Sequence, residues 1–168
     1  MDRPSLILIL CEGQTEASYF KSLINNKRIR GVEIEVLKNQ GQHRALINKC
    51  VGARKDYSKD YEEDEGNIEV WAVCDQDKRK FDYQDLLRYA EEKNVKLAFS
   101  KHQFETYLVQ HFEFKNINKS KKSLEEYLSV HTMRHYGTKY SKSNLFWLNK
   151  MMDETPQKIK EVIGNSNN

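Results

Sequence analysis

The chain has 168 residues, with 28 basic and 25 acidic side chains and a net charge of +3. At about 100 to 200 residues per domain this is one domain, large enough to bury a core without disulfide or metal staples. Hydrophobic residues make up 38% and charged residues 32%, with 2 prolines and 7 glycines, which excludes collagen-like, low-complexity, disordered and membrane-spanning classes. The small net charge argues against a general polyanion binder, but residues 1–100 sum to −1 and residues 101–168 to +4, so the C-terminal part is the basic part.

The three cysteines, Cys11, Cys50 and Cys74, are odd in number and form no CxxC pair, so neither a disulfide framework nor a zinc ribbon is encoded, and a reducing compartment fits. The start, Met-Asp-Arg-Pro, leads into an apolar stretch too short to span a bilayer and without a small-residue cleavage pattern. The expected location is the cytoplasm, with no membrane partner.

Along the chain, Leu6–Cys11 is continuously apolar and reads as a strand buried on both faces. A helix follows, with Thr15 as the expected N-cap, Glu16 as a first-turn acid favoured by the dipole, and Ala17, Phe20, Leu23 and Ile24 as its apolar stripe. Val32–Val36 alternates strictly and reads as a peripheral strand with one wet face. Gly41, Gln42, His43 and Arg44 turn the chain into a helix carrying Leu46, Ile47, Cys50 and Val51, which gives way to an acidic loop over 56–65. Ile68–Cys74 is a second mostly apolar strand, so these two apolar strands are placed at the sheet centre. A helix from Asp82 and a short strand, Val95–Phe99, complete the alternation. Strands alternating with helices imply parallel crossovers and a three-layer, Rossmann-like α/β fold with a mainly parallel four-stranded sheet.

After residue 100 the reading is helical: Phe104–Phe112; Ser123–His131, with Ser123 and Glu126 as a capping box; Leu145–Met152; and a last short helix at Thr155-Pro156. Residues 1–112 are therefore expected to form the catalytic part and 113–168 a basic helical extension packed on the same domain.

In a parallel sheet every strand delivers its C-terminal end to one edge, where α/β proteins place ligands. The two apolar strands both end in acid there: Cys11-Glu12-Gly13 and Cys74-Asp75-Gln76-Asp77. With neighbouring strands about 4.8 Å apart, Glu12, Asp75 and Asp77 gather closely. Such carboxylates repel unless a cation neutralises them, and Mg²⁺ or Mn²⁺, a hard ion that takes oxygen ligands, suits the set. The competing reading makes Asp75 and Asp77 turn formers and Glu12 a solvated residue, with Cys11 and Cys74 simply small buried apolar residues.

Leu10-Cys-Glu-Gly-Gln-Thr-Glu-Ala-Ser-Tyr-Phe20, Val70-Trp-Ala-Val-Cys-Asp-Gln-Asp77 and Ser100-Lys-His-Gln-Phe-Glu-Thr-Tyr-Leu-Val-Gln-His-Phe112 resemble, in order, the signature blocks of the RloB-like proteins, found at bacterial restriction and phage-defence loci. The strand-Glu-Gly and strand-Asp-x-Asp order also resembles the Toprim domain of primases, topoisomerases and overcoming-lysogenization-defect nucleases. The resemblance implies a Mg²⁺-dependent phosphodiester site, Glu12 as general acid/base and Asp75 and Asp77 as metal ligands. It also implies a role in anti-phage defence or abortive infection, and an ABC/SMC-like ATPase partner from the same locus. A homo-oligomer is compatible with it. The third block departs from its relatives, with Glu-Thr-Tyr where they tend to show Glu-Leu-Trp, and after Phe112 only Tyr140-x-Lys142 invites alignment.

Glu105 follows the last strand closely enough to reach the acidic edge as a further catalytic or supporting group. His111 lies on an apolar stripe and reads first as a core histidine. Lys78, Arg79 and Lys80, directly after Asp77, could hold phosphate, as could His43 and Arg44 at a helix start, and Lys142; each could equally be a solvated surface group. Lys119, Lys121, Lys122, Arg134, His135, Tyr136, Lys139, Tyr140, Lys142 and Trp147 interleave cations and rings, a pattern that suits single-stranded or looped RNA or DNA, unless the rings pack inward.

The expectation is a metal-dependent nuclease, its alternative a non-catalytic nucleic-acid- or ATPase-binding regulatory subunit. A haloacid-dehalogenase-type phosphatase and a response-regulator receiver both place their acids on the first strand, which here ends in Glu12. No GxxxxGK[ST] or GxGxxG loop is present.

Overall fold

A computed structural model describes residues 5–37, 43–75, 82–100, 104–112, 121–142 and 145–154. Four parallel strands, β1 (Leu6–Cys11), β2 (Val32–Val36), β3 (Ile68–Asp75) and β4 (Lys96–Ser100), form one sheet in the order β2-β1-β3-β4. The expected α/β architecture is thus the observed one. The continuously apolar β1 and β3 are the central pair, because only residues apolar on both faces can be covered from both sides, while alternating β2 sits at an edge.

The chain leaves β1 toward β2 on one side and returns to β3 on the other, so the strand order reverses between β1 and β3. Such a switch point opens a crevice at the C-terminal ends of the two strands. Crossovers running in opposite directions put their helices on opposite faces. Accordingly α1 (Gln14–Lys27) covers one face, and α2 (His43–Asp60) with α3 (Tyr83–Glu92) covers the other. Strand alternation sorts the core the same way: Leu8, Leu10, Val70, Ala72 and Cys74 pack with Leu46, Ile47 and Cys50 of α2, whereas Cys11 and Val73 pack with Ala17 of α1.

Beyond the sheet, α4 (Phe104–Val109), α5 (Lys121–Tyr136) and α6 (Phe146–Glu154) build a second apolar cluster. It joins Tyr19 of α1 to Leu108, Leu124, Leu128, Trp147, Leu148 and Met152. Trp147 is 0% exposed, and Tyr140 is also buried there, so these two rings of the basic segment pack inward and are not stacking platforms. His111 is a core histidine: its Nε2 meets the Tyr19 hydroxyl at 3.2 Å, and burial lowers its pKa to about 4.

Several expected boundaries differ. Gly13, in extended conformation at φ −114°, is the N-cap of α1, and Thr15 lies inside the helix, buried with Glu16, Tyr19 and Ser22; the inward face is rotated from the expected stripe because a buried carboxylate and a tyrosine take the place of Phe20 and Ile24. Helix α2 runs on to Asp60, through residues expected to be loop, because Arg54 anchors it by donating to the carbonyls of Asn94 and Lys93 at 2.8 and 3.1 Å. Helix α5 begins before Ser123, so Ser123 is not its N-cap, and it extends to Tyr136. Helix α4 ends at Val109, where Gln110, His111 and Phe112 close turns onto Tyr107, Leu108 and Val109. The helix expected at Thr155-Pro156 lies outside the described residues.

Candidate functional site

The C-terminal ends of β1 and β3 hold a pocket of about 180 Å³ lined by Glu12, Gly13, Gln14, Thr15, Glu16, Asp75 and Lys142. The Glu12 amide donates to the Val73 carbonyl at 3.0 Å, which fixes the end of β1 beside the last turn of β3 before Asp75. Asp75 continues the face of Val73 and so points toward α1. Its Oδ2 accepts from the Phe104 amide at the start of α4 at 3.3 Å, and its Oδ1 is buried with no hydrogen-bond partner among the described residues. Burial, reinforced by the charge of Glu16, raises the Asp75 pKa to about 7. Burial and the neighbouring acids thus both disfavour the charged form of this carboxyl.

Glu16 is the residue that sequence reasoning missed. By sequence a first-turn acid, it is 5% exposed and its pKa is raised by burial, with Glu105 and Glu12 adding to the rise. At the third helical position a long side chain folds back over the N-cap. A Cβ on Gly13 would collide with its carboxylate, so glycine at 13 makes room for the acid. The available signal was the spacing: an acid three residues after the residue that caps the helix at a strand end.

Glu105, in the first turn of α4, lies behind the pocket and is 1% exposed. Burial alone would push its pKa up, but the Tyr140 hydroxyl donates to it at 2.8 Å and Lys142 Nζ stands 3.0 Å away, and together they hold it below the usual value. Lys142 is raised in turn by Glu105, against the effect of its burial. The pairing Tyr140-x-Lys142 thus converges on one carboxylate.

The other expected groups part company. His43, at the start of α2, brings Nδ1 to 3.7 Å from Glu12 Oε2. Arg44 turns away: it pairs with Asp85 of α3 and lies 4.9 Å above the Tyr89 ring, so it does not line the pocket. Gln42, Asp77, Lys78, Arg79, Lys80 and Lys119 lie outside the described residues. Among the described residues no helix is long and apolar enough to cross a membrane.

An acidic pocket at the switch point of a doubly wound parallel sheet defines the class: an α/β protein with its candidate ligand site at the C-terminal ends of β1 and β3. The family model described as "RloB-like protein" matches residues 7–166, and the chain belongs to that family. No curated protein and no solved structure matches it.

Proposed function

We propose that the protein is a divalent-cation-dependent phosphodiesterase of the Toprim type, a nuclease acting on RNA or DNA in bacterial anti-phage defence. The observation that carries this reading is the gathering of Glu12, Glu16 and Asp75 around one pocket, with the buried Asp75 Oδ1 lacking a partner among the described residues. Oxygen donors of this kind suit Mg²⁺ or Mn²⁺.

Asp75 and Asp77 are the proposed ligands, with Glu12 near enough to share the ion or to move a proton. The cation would supply charge stabilisation to the scissile phosphate. Glu12, at the rim and half-buried, would take the proton from the attacking water and return one to the leaving oxygen. Glu16 and Asp75 lie in a desolvated floor where an approaching cation replaces protons. Lys142 faces this floor while tied to Glu105, a position from which its ammonium can meet a phosphate oxygen without leaving a buried acid unpaired.

The test incubates purified protein with RNA and DNA pools in Mg²⁺, in Mn²⁺ and in EDTA, beside Glu12→Gln and Asp75→Asn. Divalent-dependent cleavage lost in both variants supports the reading. Cleavage that survives both substitutions refutes the assignment, and nucleic-acid or ATPase binding without turnover favours a regulatory subunit.

A further inference from the structure

The alternation that aims Asp75 toward α1 aims Cys74 the opposite way, toward α2, and a second group of donors gathers there. One oxygen of Glu12, one ring nitrogen of His43 and Sγ of Cys74 all lie within 4.8 Å of one another. They come from three separate segments: the end of β1, the first turn of α2, and β3. A four-coordinate ion with bonds of about 2.0–2.1 Å to nitrogen and oxygen and about 2.3 Å to sulfur holds such donors roughly 3.3 to 3.7 Å apart. The 3.7 Å between His43 Nδ1 and Glu12 Oε2 is close to that spacing.

Burial favours the same arrangement. Cys74 is buried, while the His43 and Glu12 side chains are partly exposed. Phe99 meets the His43 ring edge-on at 6.3 Å and limits its swing. Thiolate, imidazole and carboxylate together select a borderline ion over Mg²⁺, which prefers oxygen alone.

We propose that Glu12, His43 and Cys74 form a binding site for a borderline divalent cation such as Zn²⁺, on the α2 face of the sheet and distinct from the α1-face pocket. Binding forms one metal–sulfur bond and releases the Cys74 thiol proton to solvent. The two sites share Glu12, so Zn²⁺ on the α2 face withdraws that carboxylate from the pocket.

The test titrates Co²⁺, whose near-ultraviolet charge-transfer band reports a thiolate ligand, into the full chain. The expected result is a band saturating at one Co²⁺ per chain, displaced by Zn²⁺ but not by Mg²⁺. It is lost in Cys74→Ser and weakened about tenfold or more in affinity in His43→Gln, and it is kept in Cys50→Ser and Asp75→Asn. Absence of the band in the unaltered chain, its survival in Cys74→Ser, unchanged affinity in His43→Gln, or its loss in Asp75→Asn overturns the proposal. The His43 variant decides the matter even where Cys74→Ser does not fold. No part of this readout depends on cleavage, so a failed nuclease assay leaves it intact.

Discussion

The Tyr140 hydroxyl donates to Glu105 at 2.8 Å across 35 residues of sequence, tying the segment between α5 and α6 to the first turn of α4. A hydrogen bond to a buried carboxylate is worth about 1.5–3 kcal/mol, so Tyr140→Phe should lose about that much stability at pH 7. Glu105 is held below its ordinary pKa of 4.5, so its contribution is present above that value and disappears as pH falls through the folded-state pKa. Denaturation at pH 7 and pH 3 checks this: the loss should shrink at the lower pH, and an equal loss at both would show that the hydroxyl matters only through packing.

Asp75 works in the opposite sense. Its pKa rises from 3.8 to about 7, so folding favours the protonated form, and the stability this lends below pH 4 is lost as pH rises through 7. At about 1.4 kcal/mol per unit, discounted for partial exposure, ionisation costs about 2 kcal/mol. Asp75→Asn should therefore melt higher than the unaltered chain at pH 8 and show little advantage at pH 4. Millimolar Mg²⁺ should narrow the gap at pH 8 by stabilising the unaltered chain alone. A melting difference that ignores pH contradicts a carboxyl whose pKa is raised by burial.

The fit between Gly13 and Glu16 can be isolated by a double-mutant cycle. Gly13 has φ −114°, which any residue adopts, so the cost of Gly13→Ala comes from the collision with the Glu16 carboxylate. About 1–3 kcal/mol is expected. In the Glu16→Ala background the same change should cost little, giving a coupling energy above about 0.5 kcal/mol; additivity would show that the contact is not what requires glycine.

Trp147 separates a core ring from a nucleic-acid platform. Being wholly buried, it should cost about 3–5 kcal/mol on replacement by alanine. Trp147→Phe, if folded, should bind single-stranded oligonucleotides as the unaltered chain does. A well-folded Trp147→Ala with weakened binding would instead place the ring at a surface.

These results mark where local pattern stops informing. The positions of β1, β2 and β3 were legible because burial on two faces or one face writes itself into the strand as a continuous or alternating apolar pattern. Glu12 and Asp75 were legible as a pair because two central strands end in acid at one edge. Glu16 was not, since a first-turn glutamate satisfies the helix dipole whether it faces water or a pocket, and only the tertiary fold that buries it decides. Tyr140 and Trp147 were ambiguous for a related reason: cations beside rings describe a binding strip and a helix lying on a core equally well. Ser123 makes a proper capping box in sequence, yet the helix begins before it.

If the pocket at the ends of β1 and β3 gathers one hard divalent cation, as proposed, anomalous diffraction from crystals grown with Mn²⁺ will show it. Under this proposal the expected peak lies within bonding distance of Asp75 and beside Glu12 or Glu16, and is absent in Asp75→Asn crystals. An ordered pocket without any peak, or a peak that persists unchanged in Asp75→Asn, would contradict it.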